Sequence, residues 1–189
     1  MNFSDLAISF FNDLAMKYGL LIMEKSKSEI HFESDKVRLR IMYDFQRSFE
    51  VNINLSLRAR PNLLPIPLRD LVMYKEPNLI RDIGDFQSHD LSGVSEYFKE
   101  VINFLDNYCA SFLRGEVAEF ARIEEFRQLK AERYTKGKEF LLVKKKAQQH
   151  WDRKDFKAFL DSMLLVDKSY LSEIDQQKIS YARKQVDGL

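Results

Sequence analysis

The chain has 189 residues, 45% of them hydrophobic and 31% charged, with a formal net charge of +1. That length accommodates one large domain or two small lobes with a sizeable core, and that composition excludes a disordered chain. The near-neutral balance excludes a global field that would gather nucleic acid or an anionic membrane.

The stretch "FSDLAISFFNDLAMKYG" predicts a helix: Ser4 can cap it, Asp5 suits its positive end, and Gly19 lies just past its last turn. Leu6, Phe10 and Leu14, with Phe11 and Tyr18 beside them, form its apolar stripe. The rhythm then changes to two. In "KVRLRIMYD" Val37, Leu39, Ile41 and Tyr43 alternate with charged or flexible residues. In "SFEVNINLSLR" Phe49, Val51, Ile53, Leu55 and Leu57 alternate with Glu50, Asn52, Asn54 and Ser56. Such alternation marks strands with one face buried and one wet, and the short link at 44–48 predicts an antiparallel hairpin. "LLIME" and "EIHFES" add one or two strands. All four prolines fall between Pro61 and Pro77, so "RARPNLLPIPLRD" is expected to leave the sheet. "PLRDLVMYK" reads as a short helix with Pro67 in its first turn, and "EPNLIRDIGDFQSHD" as an exposed acidic loop.

From about Ser92 helical spacing takes over. Val94, Phe98, Val101, Ile102, Leu105 and Phe112 share one helix, which Gly115 can stop. In the next, Val117, Phe120, Ile123, Phe126 and Leu129 recur every three residues, a row that winds around the cylinder at about 100° per residue. No single neighbour covers such a row, which predicts a connector helix meeting a first lobe early and a second late. Three tail helices follow: Phe140, Val143, Ala147 and Trp151 on one face, Phe156, Phe159, Leu160 and Met163 on the next, and Leu171, Ile174, Tyr181 and Ala182 on the last. The turn "DRKD" and the short link near Asp167 make them antiparallel neighbours. Trp151, the only tryptophan, is expected to fold onto Phe156 and fix the hairpin angle.

These readings make the chain α+β. Residues 1–115 form an N-terminal helix with a three- or four-stranded antiparallel sheet and a long helix. Residues 116–189 form an all-helical C-terminal lobe, a connector helix plus a three-helix tail.

The hairpin around Trp151 is similar to a tetratricopeptide-type helix pair: Ala147 is the small residue inside the first helix, "KDF" supplies an acid followed by an aromatic, and a second helix follows. It departs from that pattern at Phe159, where a small residue is expected, and no second copy recurs at a fixed period. The N-terminal helix and meander, with the tail "AQQHWDRKDFKAFLDSML…KISYARKQ", resemble small bacterial proteins of toxin–immunity loci. That resemblance implies binding and neutralisation of a partner without catalysis.

Chemical motifs are sparse. His31, His89 and His150 are far apart and none stands at i, i+4 from another. Cys109 is the single cysteine, which rules out an intrachain disulfide and a thiolate zinc site and suits a reducing compartment. Inside a helix it reads as a buried, unreactive thiol. No phosphate loop, GxSxG or HExxH occurs. His89 has Asp85, Ser88 and Asp90 nearby, a general-base arrangement in principle, but Asp90 or Ser92 serves equally as a helix cap. No catalytic residue, metal or cofactor is expected.

Two surfaces can bind a partner. Arg127, Lys130, Arg133, Lys136, Lys138, Lys145 and Lys146 lie in a basic stripe over 127–146, suited to nucleic acid. Glu124, Glu125, Glu132 and Glu139 interleave with it, as on an ordinary solvated helix. At 76–90 an acidic rim surrounds Leu79, Ile80, Ile83 and Phe86. Asp82, Asp85, Phe86 and Asp90 are the candidate partner-binding residues, fitted to a basic protein such as a toxin domain. The bland alternative is that the apolar residues merely tuck this loop onto the sheet. The first ten residues hold Asp5 and no base, and no apolar run reaches the length of a signal core or a membrane span. The expectation is therefore a cytoplasmic, non-catalytic, immunity-type inhibitor of a bacterial toxin, the rival being a nucleic-acid-binding protein that uses 127–146.

Overall fold

A computed structural model describes residues 2–188 and divides the chain into two units, Met1–Arg127 and Gln128–Leu189. The first unit opens with α1 (Phe3–Lys17). Its cap is Asn2 rather than Ser4: the Asn2 side chain accepts from the Asp5 N–H at 2.9 Å. Ser4 is buried, and its hydroxyl donates to the carbonyls of Ser26 and Glu29.

Five antiparallel strands follow, β1 (Leu21–Lys25), β2 (Glu29–Glu33), β3 (Val37–Tyr43), β4 (Val51–Leu57) and β5 (Ile66–Pro67), in the spatial order of the sequence. β3 and β4 pair from Val37 opposite Leu57 to Tyr43 opposite Val51. Their alternating apolar side chains are buried, which places Arg38, Arg40, Asn52 and Asn54 on the other face. The fifth strand corrects the expectation that the proline-rich segment leaves the sheet. Pro67 can pair opposite Asn54 because it lies on an edge, where its missing N–H is not needed by a further neighbour. β1 forms the other edge, is exposed along its length, and is blunted by an irregularity between Ile22 and Glu24.

Beyond the sheet come α2 (Leu68–Lys75), a 3-10 turn at Pro77–Leu79 and α3 (Ile80–Ile83). The segment read as an exposed loop is thus partly helical. Ile83 reaches the core at 2% exposure, and Leu79, Ile80 and Phe86 pack against it. α4 (Leu91–Tyr108) and α5 (Ala110–Leu113) are separated at Cys109, and Gly115 ends them with φ 69°. Aromatic rings join these helices to the sheet. Phe11 of α1 meets Phe98 of α4 edge-on at 5.1 Å and Phe32 of β2 at 6.3 Å.

The expected connector and first tail helix are one element, α6 (Val117–Asp152), 36 residues long. The reason is compositional: it holds no proline, one glycine (Gly137), and many Lys, Glu, Arg, Ala and Leu. Of the winding row, Phe120 and Ile123 are buried in the first unit, while Val117 and Leu129 are 47% and 48% exposed.

In the second unit the end of α6 packs with α7 (Phe156–Met163) and α8 (Glu173–Asp187). Ser172 and Asp175 form a reciprocal capping box at the start of α8. Ala147, Phe159, Met163 and Ala182 are the buried centre. Trp151 is half-buried, with ring centroids 5.6 Å from Phe156, 5.1 Å from Phe159 and 5.6 Å from Tyr181. Ile174, read as part of the apolar face of α8, is instead 63% exposed.

Two stability outcomes follow. A Cβ on Gly115 would lie 2.5 Å from the Lys36 Cβ in a left-handed backbone conformation, so Gly115→Ala should cost on the order of 2 kcal/mol in urea unfolding followed by circular dichroism. Trp151→Ala should cost about 3 kcal/mol in the second unit. Circular dichroism under denaturant checks it, and a loss below about 1 kcal/mol would show that the ring cluster does not hold the hairpin.

Candidate functional site

The outer edge of β4 is covered at two points and open between them. At one end Gln87 bridges to Glu50, the Val51 N–H donates to the Phe86 carbonyl at 3.1 Å, and the Ser88 N–H to the Phe49 carbonyl at 3.0 Å. At the other, β5 pairs with Asn54 and Leu55. On this side no strand residue among those described pairs with Asn52 or Ile53. A cleft of about 410 Å³ opens there, with Asn52, Asn54, Arg69, Asp85 and Phe86 in its lining.

The wall of this cleft is anchored. The Phe86 ring lies parallel to that of Tyr97, 4.1 Å between centroids. Tyr97 is 5% exposed, and burial pushes its phenol above the usual range. Gly84 also lines the cleft, and a Cβ there would sit 2.4 Å from the Ile80 carbonyl oxygen. Arg69 and Asp85 form an ion pair, half or more exposed on both sides. Pairs so wet contribute little to stability, so this one can open for a ligand.

Of the residues proposed from sequence, Asp85 and Phe86 come together in this cleft and Asp82 and Asp90 do not line it. Asp82 lies exposed in α3. Asp90 caps α4, accepting from the Gly93 N–H at 2.7 Å, and that bond, with Ser92, holds its carboxyl below the ordinary value. His89 packs on the Phe49 ring at 4.0 Å, without an ion pair among the described residues. Cys109 is fully buried, and burial pushes its thiol up to about 12. Within the basic stripe, Arg127 is tied to Asp70 at 3.1 Å, and Lys144 to Asp175 and the Tyr170 carbonyl.

The sheet face opposite the core carries a charged ladder, part of it buried, that no sequence motif announces. His31 is held between two carboxylates, its Nδ1 3.1 Å from Glu24 and its Nε2 against Glu29. Arg40 also reaches Glu29, and Arg38 reaches Glu33. Its signal is the period of two in "EIHFE", which puts Glu29, His31 and Glu33 on one face. These groups satisfy one another, and among the described residues no cluster of His, Cys, Asp or Glu is arranged to hold a metal ion. No described helix is long and apolar enough to cross a membrane. Against models of protein families, curated proteins and solved structures, the chain finds no match.

The ladder makes stability pH-dependent. The Arg40 hydrogen bond, opposed by burial and helped by His31, holds the Glu29 carboxyl below its ordinary 4.5. A carboxylate depressed on folding stabilises above its unfolded pKa, and that stability disappears as pH falls through the lower folded value. The stability difference between wild type and Glu29→Gln, read from urea midpoints, should therefore be greatest near neutral pH and shrink below about pH 4.

Proposed function

We propose that the protein is a non-catalytic interaction protein, most specifically an immunity-type inhibitor that binds and neutralises a bacterial toxin domain in the cytoplasm. The observation that carries the binding reading is the gap on the outer edge of β4, where the backbone of Ile53 has no strand partner, flanked by bridges and backed by the cleft. A partner segment entering there can pair with the backbone of Ile53 and take most of its affinity and specificity from the adjoining pocket. Glu50 and Asp85 outnumber Arg69 in the lining, which favours a basic segment. Phe86, fixed on Tyr97, supplies a rigid aromatic contact at low entropic cost. The toxin-inhibitor part of the reading rests on the resemblance of the helix, meander and tail to immunity-locus proteins. Nucleic-acid binding through 127–146 is less well supported, because Arg127 and Lys144 are already engaged by Asp70 and Asp175.

Co-expression with the product of the adjacent gene tests the proposal. The expected result is relief of that protein's toxicity and co-purification of the two chains. Asn52→Arg combined with Asp85→Arg should weaken the complex at least about tenfold by calorimetry while leaving thermal unfolding unchanged. A neighbour that is neither toxic nor captured, or a double variant that binds as wild type, would sink it.

A further inference from the structure

The second unit leaves an apolar trough open between α7 and α8. Leu160, Met163, Val166, Leu171, Ile179 and Val186 line a cleft of about 430 Å³. A second cleft of about 510 Å³ shares Leu171 and Ile179 with it and continues along α8 past Gln176 and Ser180. Met163 and Val166 form a buried floor at 4% and 5% exposure, and Leu164 is a lip at 74%. The trough has a sign. Lys157, Lys168, Arg183 and Lys184 stand on its lining against Asp161 and Asp187. None of these four cations makes an ion pair among the described residues. Cations between α6 and α8 behave otherwise: Lys144 of α6 pairs with Asp175, and Lys178 of α8 donates to the Gln148 Oε1 at 2.7 Å while lying 5.4 Å over the Trp151 ring.

The backbone narrows the choice of occupant. The Leu164 N–H donates to the Leu160 carbonyl, Leu165 to Ser162 and Val166 to Met163. Asp167 Oδ1 takes the Ser169 N–H at 2.8 Å, and Tyr170 and Leu171 donate locally as well. With these donors taken and both flanking elements helical, an extended strand gains no ladder here. A peptide ligand with its backbone already satisfied, as in a helix, suits this site better than an extended one. α8 has 15 residues, so its length of about 22 Å matches roughly four turns of a partner.

We infer that this trough is a docking site for an amphipathic helix of another protein, with an apolar stripe bordered by Asp and Glu. The stripe fills the space between α7 and α8, and the acidic borders meet Lys157, Lys168, Arg183 and Lys184. This goes beyond the edge-cleft reading and stands without it, since it involves other residues and a partner of opposite charge.

Two synthetic helices of about sixteen residues test it on the full chain by fluorescence anisotropy. Both carry leucine at i, i+4, i+7 and i+11; one is flanked by glutamates, the other by lysines. The glutamate helix should bind at least about tenfold more tightly than the lysine helix, and less so as salt rises. Lys168→Glu with Arg183→Glu should reverse that preference. Leu164→Glu, at an exposed position that does not threaten folding, should weaken binding about tenfold or more, with unchanged circular dichroism and Trp151 fluorescence. Equal binding of the two probes, binding of neither, or undiminished binding to Leu164→Glu overturns the proposal. So does a self-association in sedimentation that Leu164→Glu abolishes, since a second copy would then be the occupant.

Discussion

The edge-on contact of Phe11 with Phe98 is the joint on which the first unit depends. Both rings are fully buried. Phe11 also reaches Phe32 in the sheet, and Phe98 reaches Phe3, which stacks on Tyr43 at 5.1 Å. One aromatic chain therefore ties two helices to two strands, in geometries that favour ring pairs beyond simple area burial. Its effect extends to the surface. Tyr97 precedes Phe98 on α4 and is rotated from it by about 100°, so it lies against Phe86 at the cleft. The position of the cleft wall is a by-product of how the core is locked.

The second unit is built to a different scale. Four residues are its buried centre, two of them alanines, and the large side chains around them are only half-covered. Small residues at the close approaches let aromatic rings bridge the helices, which is why Trp151, Phe156 and Tyr181 gather in mutual contact. Phe159, the departure from the tetratricopeptide-like pattern, is buried here at 2% exposure. A core so small relies on its termini, and the capping box at Ser172 with the Lys144–Asp175 pair supplies such ties.

Where burial is one-sided the sequence is easy to read. The two-residue rhythm at 37–43 and 51–57 corresponds to β3 and β4, and the left-handed Gly115 stops the helical run as its position suggested. Legibility fails where long-range geometry decides. Ser4 looks like a cap, yet the fold turns it inward onto carbonyls that are 22 and 25 residues away. Pro67 looks like a breaker, yet an edge tolerates it. The break expected before the tail is absent because helix propensity through 130–146 carries α6 onward, although its apolar pattern changes phase. The cleft shows the same limit. Asp85 and Phe86 are local and could be named, but Asn52, Asn54 and Arg69 join them only through strand pairing and a turn. The cationic trough in the helical hairpin left no comparable trace, since lysines and arginines on a solvated helix are unremarkable until a structure shows which of them lack a partner.

The lone thiol has a practical consequence. Cys109 is sealed between α4 and α5 and shifted far from the pH at which thiolates form. An alkylating reagent can reach it only when that region opens, and while it stays closed burial keeps the thiol protonated at neutral pH. Its labelling rate in the untouched chain is therefore a clock for spontaneous breathing of the N-terminal body. A cysteine placed anywhere on the surface would react long before that clock advances.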